Sequence, residues 1–522
     1  MENQKTKIIS IASIIALALT LVTATFAYFM AQTGEGKSTD IKINASTVDT
    51  FTFEAGSAIS LNLNQDNFAS GKGNQTGTTF AKAMLTANNK TNTATEHYYM
   101  YLNISENTFT YTQDANTPEI LLSIKDGSNN EITSVSGLTY KTVTDGKGAS
   151  IKGFDITKKS GLITILNNRE ITTTSTKTEE WNVTVTFVNY NSNQAGNAGK
   201  NFNAKLMIQK EGYTLAEYVV SQYSGTQGEN GIYYHDASLA NGAGDNSYRY
   251  AGASESVNNF VCFGSTTSPC PTDNLYRIIG VFGENNHGVT GKQLVKLIKY
   301  DYATSNLLGT DGDYLGTSAP DSTYYKGSLS SIDRYYWNYK ATNKASNTWS
   351  TSLLNKINLN TNYLNNIGTT WSNLIEDATW KVSGHSTESV TPSEMYTSEI
   401  TNATKTYGPS DGTSKIGLMY VSDYGFAASP SAWTTNLVSY DGNDANGTSI
   451  KTINWMYMGY FDWTISPASS DSYHVFYLSN QGHVNNISSY GGYVSRPVVY
   501  LKASVLYAGG SGTKDSPITL VV

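Results

Sequence analysis

Two cysteines, six histidines and a thin scatter of carboxylates are the side chains from which this chain could build reactive chemistry. Cys262 and Cys270 stand close together across a loop that carries Pro269 and Pro271. In an exported chain such a pair predicts a disulfide, which would contribute roughly 2–3 kcal/mol for so short a loop. Buried thiols or half of a zinc site are the rivals, and no histidine or second cysteine pair lies at zinc spacing. The histidines, His97, His235, His287, His385, His474 and His483, are isolated from one another. His474 and His483 share one strand–turn–strand segment and could meet there as a metal pair with Asp471; surface histidines are the plainer reading. Nucleophilic catalysis needs a base within reach of a hydroxyl or thiol, and no Gly-x-Ser-x-Gly elbow occurs. Asp311-Gly312-Asp313 and Asp441-Gly442-Asn443-Asp444 look like fragments of calcium loops. Neither carries a glutamate at the EF-hand distance, and Asx turns account for both. The expectation is a chain without catalytic residues, bound metal or cofactor.

Contact chemistry is more evident than catalytic chemistry. Ser469 to Tyr493 reads SSDSYHVFYLSNQGHVNNISSYGGY. Tyrosine supplies rigid amphipathic area, and asparagine and serine supply adaptable hydrogen bonds. Tyr473, His474, Tyr477, Asn480, His483, Asn485, Asn486 and Tyr490 are therefore the candidate ligand surface, suited to sugar rings and hydroxyls or to a protein partner. The alternative is an ordinary hairpin in a protein rich in tyrosine and asparagine.

These residues sit in a chain of 522 residues with net charge -7, long enough for more than one domain. Only 15% of residues are charged while 12% are aromatic, which fits a folded chain and not a disordered one. Its polarity comes from Thr, Asn, Ser, Gly and 37 Tyr, a mixture that favours strands and turns. The arginines, Arg169, Arg249, Arg277, Arg334 and Arg496, are scattered along an acidic chain, so no nucleic-acid partner is expected.

Ile8 to Met30 is an uncharged run preceded by Lys5 and Lys7. A membrane-spanning helix needs about 20 residues, so residues 1–30 read as a signal peptide or a transmembrane anchor. Thr25 and Ala27 fit the small-residue sites of a signal peptidase, with cleavage between Ala27 and Tyr28. If retained, the span leaves the N-terminus in the cytoplasm. Either outcome places the remaining chain outside the cell, at its surface or anchored to its membrane.

From Asp40 to Gln209 apolar residues alternate with polar ones: Ile41 and Ile43, Phe51 and Phe53, Ile59, Leu61 and Leu63. Further strand runs follow at His97–Tyr111, Leu121–Ile124, Leu162–Ile165, Trp181–Phe187 and Phe202–Ile208. Many short strands with turn signals such as Asp126-Gly127 predict an all-β sandwich over residues 31–210. Thr214–Tyr223 places Leu215, Tyr218, Val219 and Gln222 on one helical face, and a Gly-rich stretch follows, so residues 211–245 read as a short helix and linker. Residues 246–522 hold every tryptophan except Trp181 and read as an α+β domain. Tyr276–Phe282 and Gln293–Tyr300 are expected to pair, Trp349–Ile367 to be helical, and Lys415–Val421, Trp455–Tyr460, His474–Leu478 and Val498–Leu501 to be strands.

Two resemblances add to this. Ala24-Thr25-Phe26-Ala27-Tyr28-Phe29 resembles the end of signal peptides processed by the SipW-type peptidase of Gram-positive bacteria, which precede TasA- and camelysin-like surface proteins. That implies export and a matrix-type sandwich. Trp463-Thr464-Ile465-Ser466-Pro467, Phe476-Tyr477-Leu478, Gly482 and Arg496-Pro497-Val498-Val499-Tyr500-Leu501 resemble the end of C-type-lectin-like folds, in the branch of formylglycine-generating-enzyme-like domains and retroelement variable proteins. There the Arg496-Pro497-Val498 strand would close the central sheet and Trp463 would fill the core. The formylglycine-generating activity does not carry over, because both cysteines come too early. The expectation is a non-enzymatic exported protein in which a sandwich holds out a binding domain for glycan or protein. A matrix-fibre protein that donates an edge strand is the first alternative, and a cryptic hydrolase the second.

Overall fold

The computed structural model describes residues 49–64, 71–88, 92–310, 325–339, 346–402, 411–441 and 449–522. The span Ile8–Met30, the cleavage position Ala27–Tyr28, Ile41 and Ile43, and Asp311–Asp313 lie outside them. Among the described residues no helix is long and apolar enough to cross a membrane. The chain divides into two compact units, residues 1–212 and 213–522.

The first unit contains β1 (Thr50–Ala55), β2 (Ile59–Asn62), β3 (Gln75–Thr86), β4 (Ala94–Asn107) and β5 (Ile120–Asp126). It continues with β6 (Tyr140–Thr144), β7 (Ser150–Asp155), β8 (Gly161–Thr173), β9 (Thr176–Phe187) and β10 (Asn201–Gln209). They form a six-stranded sheet, β1-β3-β9-β5-β7-β6, and a four-stranded sheet, β2-β10-β4-β8. The period-2 alternation explains the layers, since successive side chains point to opposite faces. Val183, Val185 and Phe187 from β9, with Ile120, Leu122 and Ile124 from β5, meet Met100, Leu102 and Ile104 from β4 and Phe202, Ala204 and Leu206 from β10 in one buried core. This is the expected sandwich. β3, β6 and β7 were not foreseen: threonine, glycine and lysine dilute the apolar alternation there.

The second unit opens with a helix, Leu215–Ser221, and the strands β11 (Ile232–His235), β12 (Ser247–Tyr250), β13 (Phe260–Cys262), β14 (Leu275–Phe282) and β15 (Leu294–Lys299). Next come β16 (Tyr325–Leu329), β17 (Ile332–Tyr336), β18 (Ala378–Trp380), β19 (Gly412–Ser414), β20 (Ile416–Gly417) and β21 (Asp462–Pro467). The last are β22 (His474–Leu478), β23 (Val484–Ser488), β24 (Gly492–Tyr493), β25 (Val498–Tyr500), β26 (Tyr507–Gly509) and β27 (Thr519–Leu520). A seven-stranded sheet runs β11-β12-β14-β15-β25-β20, with β13 also on β14. Helical segments at Leu354–Tyr363, Pro392–Tyr396 and Val421–Ala427 complete an α+β unit.

Three expectations need correction. Residues 211–245 are not a linker: Leu215, Tyr218 and Val219 are buried, and β11 is a strand of the main sheet. Lys415–Val421 is strand only at Ile416–Gly417, because Asp423 accepts the Tyr420 N–H at 3.0 Å and starts a helix at Val421. Trp455–Tyr460 is a turn and loop; Trp455 is buried there, with its Nε1–H donated to the Tyr250 carbonyl at 2.8 Å. By contrast β14 and β15 pair as read, antiparallel, from Tyr276 opposite Lys299 to Phe282 opposite Leu294.

Candidate functional site

The tyrosine- and asparagine-rich stretch folds as the β22–β23 hairpin, which continues a three-stranded sheet with β21. Its register is Val475–Ile487, Tyr477–Asn485 and Leu478–Val484. Because the side-chain period is 2, the candidate residues fall on two faces. Tyr477 and Asn485 share one. His474, Asn486 and the buried Phe476 lie on the other, where the Asn486 amide donates to Glu388 at 2.9 Å.

The Tyr477 face carries a cluster of rings. Tyr477 also pairs with Trp463, which is fully buried and donates its Nε1–H to the Tyr335 carbonyl at 2.8 Å. Tyr493 lies 4.7 Å from both the Tyr477 and Trp463 rings and stacks on Phe461 at 5.4 Å with an interplanar angle of 21°. Phe461 stands 6.1 Å from Tyr477 and is 42% exposed, an unusual position for a phenylalanine. β24 holds Tyr493 in place by pairing it with Tyr335 of β17. The result is a platform of three partly open rings over a buried tryptophan, with the Asn485 amide beside it. Sequence reading missed Phe461 and Tyr493 as site residues. A Phe-x-Trp pattern entering β21 and the Tyr-x-x-Tyr spacing of Tyr490 and Tyr493 were the available signals.

On the other face, His474 Nδ1 lies 2.5 Å from Asp471 Oδ2, and its ring lies 4.4 Å from that of Tyr473. Burial would raise the Asp471 pKa, but the N–H groups of Tyr473 and His474 donate to its other oxygen and hold it below its ordinary value. Among the described residues no hydroxyl or thiol bonds the other ring nitrogen of His474, so this dyad has no nucleophile to activate. His483 lies beyond the opposite end of the hairpin from His474, about 13 Å or more along the strand, so the two do not form a metal pair. Among the described residues no cluster of His, Cys, Asp or Glu is arranged to hold a metal ion. Asn480 sits in the hairpin turn, its carbonyl accepting from the Tyr457 hydroxyl at 2.8 Å, and Tyr490 is exposed in the turn before β24.

Cys262 and Cys270 are joined in a disulfide, with Cα atoms 5.8 Å apart. Arg496 is buried, donating Nε–H to Asp462 at 2.5 Å and Nη2–H to the Met456 carbonyl at 3.0 Å; Pro497 offers its carbonyl to the Lys299 N–H at 3.0 Å as the chain enters β25.

Beneath these surfaces lies a buried ionic cluster that sequence reading did not identify. Lys296 of β15 contacts Asp423 at 2.5 Å; Arg249 of β12 contacts Asp245 at 2.7 Å and approaches Asp423 at 3.7 Å. Tyr396 donates its hydroxyl to Asp245 at 2.8 Å. Burial would raise Asp245, yet Arg249 and these donors hold it well below the usual carboxylate range. Glu399 accepts the N–H groups of Val421 and Ser422 at 2.9 and 3.1 Å and the Ser466 hydroxyl; burial nevertheless pushes its pKa up to about 7. The signal was a lysine in the middle of the apolar strand Leu294-Val295-Lys296-Leu297-Ile298, since a charge there needs a buried partner. Comparison with protein-family models, with curated proteins and with solved structures finds no match to this chain.

Proposed function

We propose that this is an exported, non-catalytic surface protein whose second unit is a C-type-lectin-like binding module for glycans. One observation carries the reading: Phe461, Tyr477 and Tyr493 present partly open aromatic faces beside an asparagine amide on a hairpin fixed by a buried tryptophan. Aromatic faces cover the apolar side of a sugar ring, and an amide both donates to and accepts from its hydroxyls. The leader Ile8–Met30 and the cystine support export, whether the leader is removed after Ala27 by a signal peptidase or kept as a membrane anchor. The position of β25 inside the main sheet and the burial of Trp463 support the lectin-like assignment.

The test is a glycan array probed with the full chain. Saturable binding is expected, and Tyr477→Ala or Asn485→Ala should each lower it at least tenfold with the fold retained. Binding that both variants leave unchanged would refute this site.

A second reading, a matrix fibre, is favoured by a feature of the first unit. β1 pairs only with Ala81–Thr86 of β3, so among the described residues Gln75–Thr79 has no strand on its outer side. Such an edge accepts an added strand. Fibres that grow from the full chain without any glycan hit would favour this reading over the first.

A further inference from the structure

Lys296 and Asp423 are a primary amine and a carboxyl group locked together away from water. Both side chains are almost fully buried, and Nζ stands 2.5 Å from Oδ2. Lys296 is in β15, and Asp423 is in the first turn of the helix Val421–Ala427, 127 residues further along. Ring faces enclose the amine: Tyr420 at 4.3 Å, Tyr500 at 5.4 Å, Phe282 at 5.5 Å and Trp380 at 5.7 Å. The neighbouring cation, Arg249, has its own close counter-ion in Asp245, so the cluster stays balanced if the first pair disappears.

We propose that Lys296 and Asp423 condense to form an intramolecular isopeptide bond. One proton passes from the ammonium to the carboxylate. The free Nζ then attacks the carboxyl carbon, the C–N bond forms, and the bond to the departing oxygen breaks. The released water carries that oxygen and two of the three ammonium hydrogens. Nothing is oxidised or reduced, and no co-reactant is required.

Four features of the site favour the step. Held contact replaces a bimolecular encounter, an advantage that reaches effective molarities of about 10⁵–10⁸ M in well-oriented systems. Burial lowers the Lys296 pKa, so the amine yields its proton more readily than an exposed lysine. The backbone N–H of Tyr420 donates to Asp423 Oδ2 at 3.0 Å, which polarises the carboxyl group as an oxyanion-hole donor would, and the buried Tyr500 hydroxyl has no partner and is a second donor in the same pocket. The product is neutral and removes two charges from surroundings that solvate them poorly.

The experiment is mass spectrometry of the full folded chain, reduced and then denatured. The expected mass, after any N-terminal processing is read from the peptide map, is that of the sequence less one water. Trypsin should fail to cut after Lys296, and a branched peptide should join β15 to the helix bearing Asp423. Lys296→Arg and Asp423→Ala, made separately, should each restore the full mass. Unbranched peptides cut after Lys296 in the wild-type chain would overturn the proposal, and that result does not depend on either variant folding.

Discussion

The two units bury different things. The first closes two sheets over aliphatic and aromatic residues, and its buried charged residues are Glu119 and Asp145. Glu119 is satisfied by neutral donors, among them the Thr112 N–H at 2.9 Å and the Gln194 amide at 2.5 Å. The second buries Arg249, Arg277, Lys296 and Arg496 together with Glu399, Asp423 and Asp462 among its tryptophans and tyrosines. Apolar packing tolerates neighbours of roughly the right size, whereas a buried ion depends on a named partner. The first unit should therefore lose stability in proportion to volume removed, and the second according to which charge is left alone.

The largest effect tests that contrast directly. Lys296→Met keeps the volume among the surrounding rings but strands Asp423, and should destabilise the second unit by about 3–5 kcal/mol. Adding Asp423→Asn removes the stranded charge and should recover most of the loss. In the first unit Leu122→Ala should cost about 2–5 kcal/mol through the cavity it leaves, and no second substitution of charge would restore it. Hydrogen exchange followed by mass spectrometry reads each unit separately. If the double variant is as unstable as the single one, the second core depends on shape and not on charge pairing.

A smaller effect distinguishes the units by the sign of a pH dependence. Burial raises the Glu399 pKa from 4.5 to about 7. Below pH 4.5 the folded and unfolded states both hold this proton. Between 4.5 and 7 the unfolded chain releases it and the folded unit keeps it, so the Glu399 contribution to stability is lost as pH rises through that window. The full change is on the order of 3 kcal/mol. Glu179 in the first unit behaves oppositely. Burial alone would raise it, but hydrogen bonds from Arg169 and Tyr98 leave its pKa lowered. Its contribution is present above the ordinary carboxylate pKa and is lost as pH falls. The stability difference between wild type and Glu399→Gln should thus fall from pH 4.5 to 7, and that between wild type and Glu179→Gln should rise through the acid range. His235 and His287, whose pKa values burial lowers, tilt the whole second-unit profile the other way, but they do so in both proteins and cancel in the difference. Slopes of the same sign would mean that the two carboxyls do not sit in contrasting environments.

The same contrast explains what could be read without a structure. Alternation placed β5, β9 and β10 and the sandwich, because each strand buries one face and period 2 is a local property. Tyr276–Phe282 and its partner were legible for the same reason. Gly417 and Trp455 misled: the first ends a two-residue strand because Trp380 packs where a Cβ would stand, and the second is buried in a turn by contacts with Arg277 and Tyr250 far away in sequence. The candidate hairpin was visible as composition, but the division of its residues between two faces followed only from register. Ionic partners such as Lys296 and Asp423 are set by the packing of β15 against a distant helix, and no local pattern encodes them.

The smallest effect concerns where one unit ends and the other begins. Thr214 caps the helix Leu215–Ser221: its hydroxyl accepts the Glu217 N–H at 3.2 Å, and Glu217 accepts the Thr214 N–H at 2.9 Å in return. The same short segment is tied to the end of the chain. The Leu215 N–H bonds the Val505 carbonyl at 2.7 Å, and the Tyr218 and Tyr507 rings stack at 3.8 Å. A helix of two turns has little stability of its own, so the cap acts through this docking. Thr214→Ala should remove about 1 kcal/mol, a typical cap contribution, and exchange should quicken at 215–221 and 505–507 while 94–107 stays unchanged. Faster exchange in β4 would show that the helix belongs energetically to the sandwich, and the boundary between an apolar unit and an ionic one would have to move past residue 221.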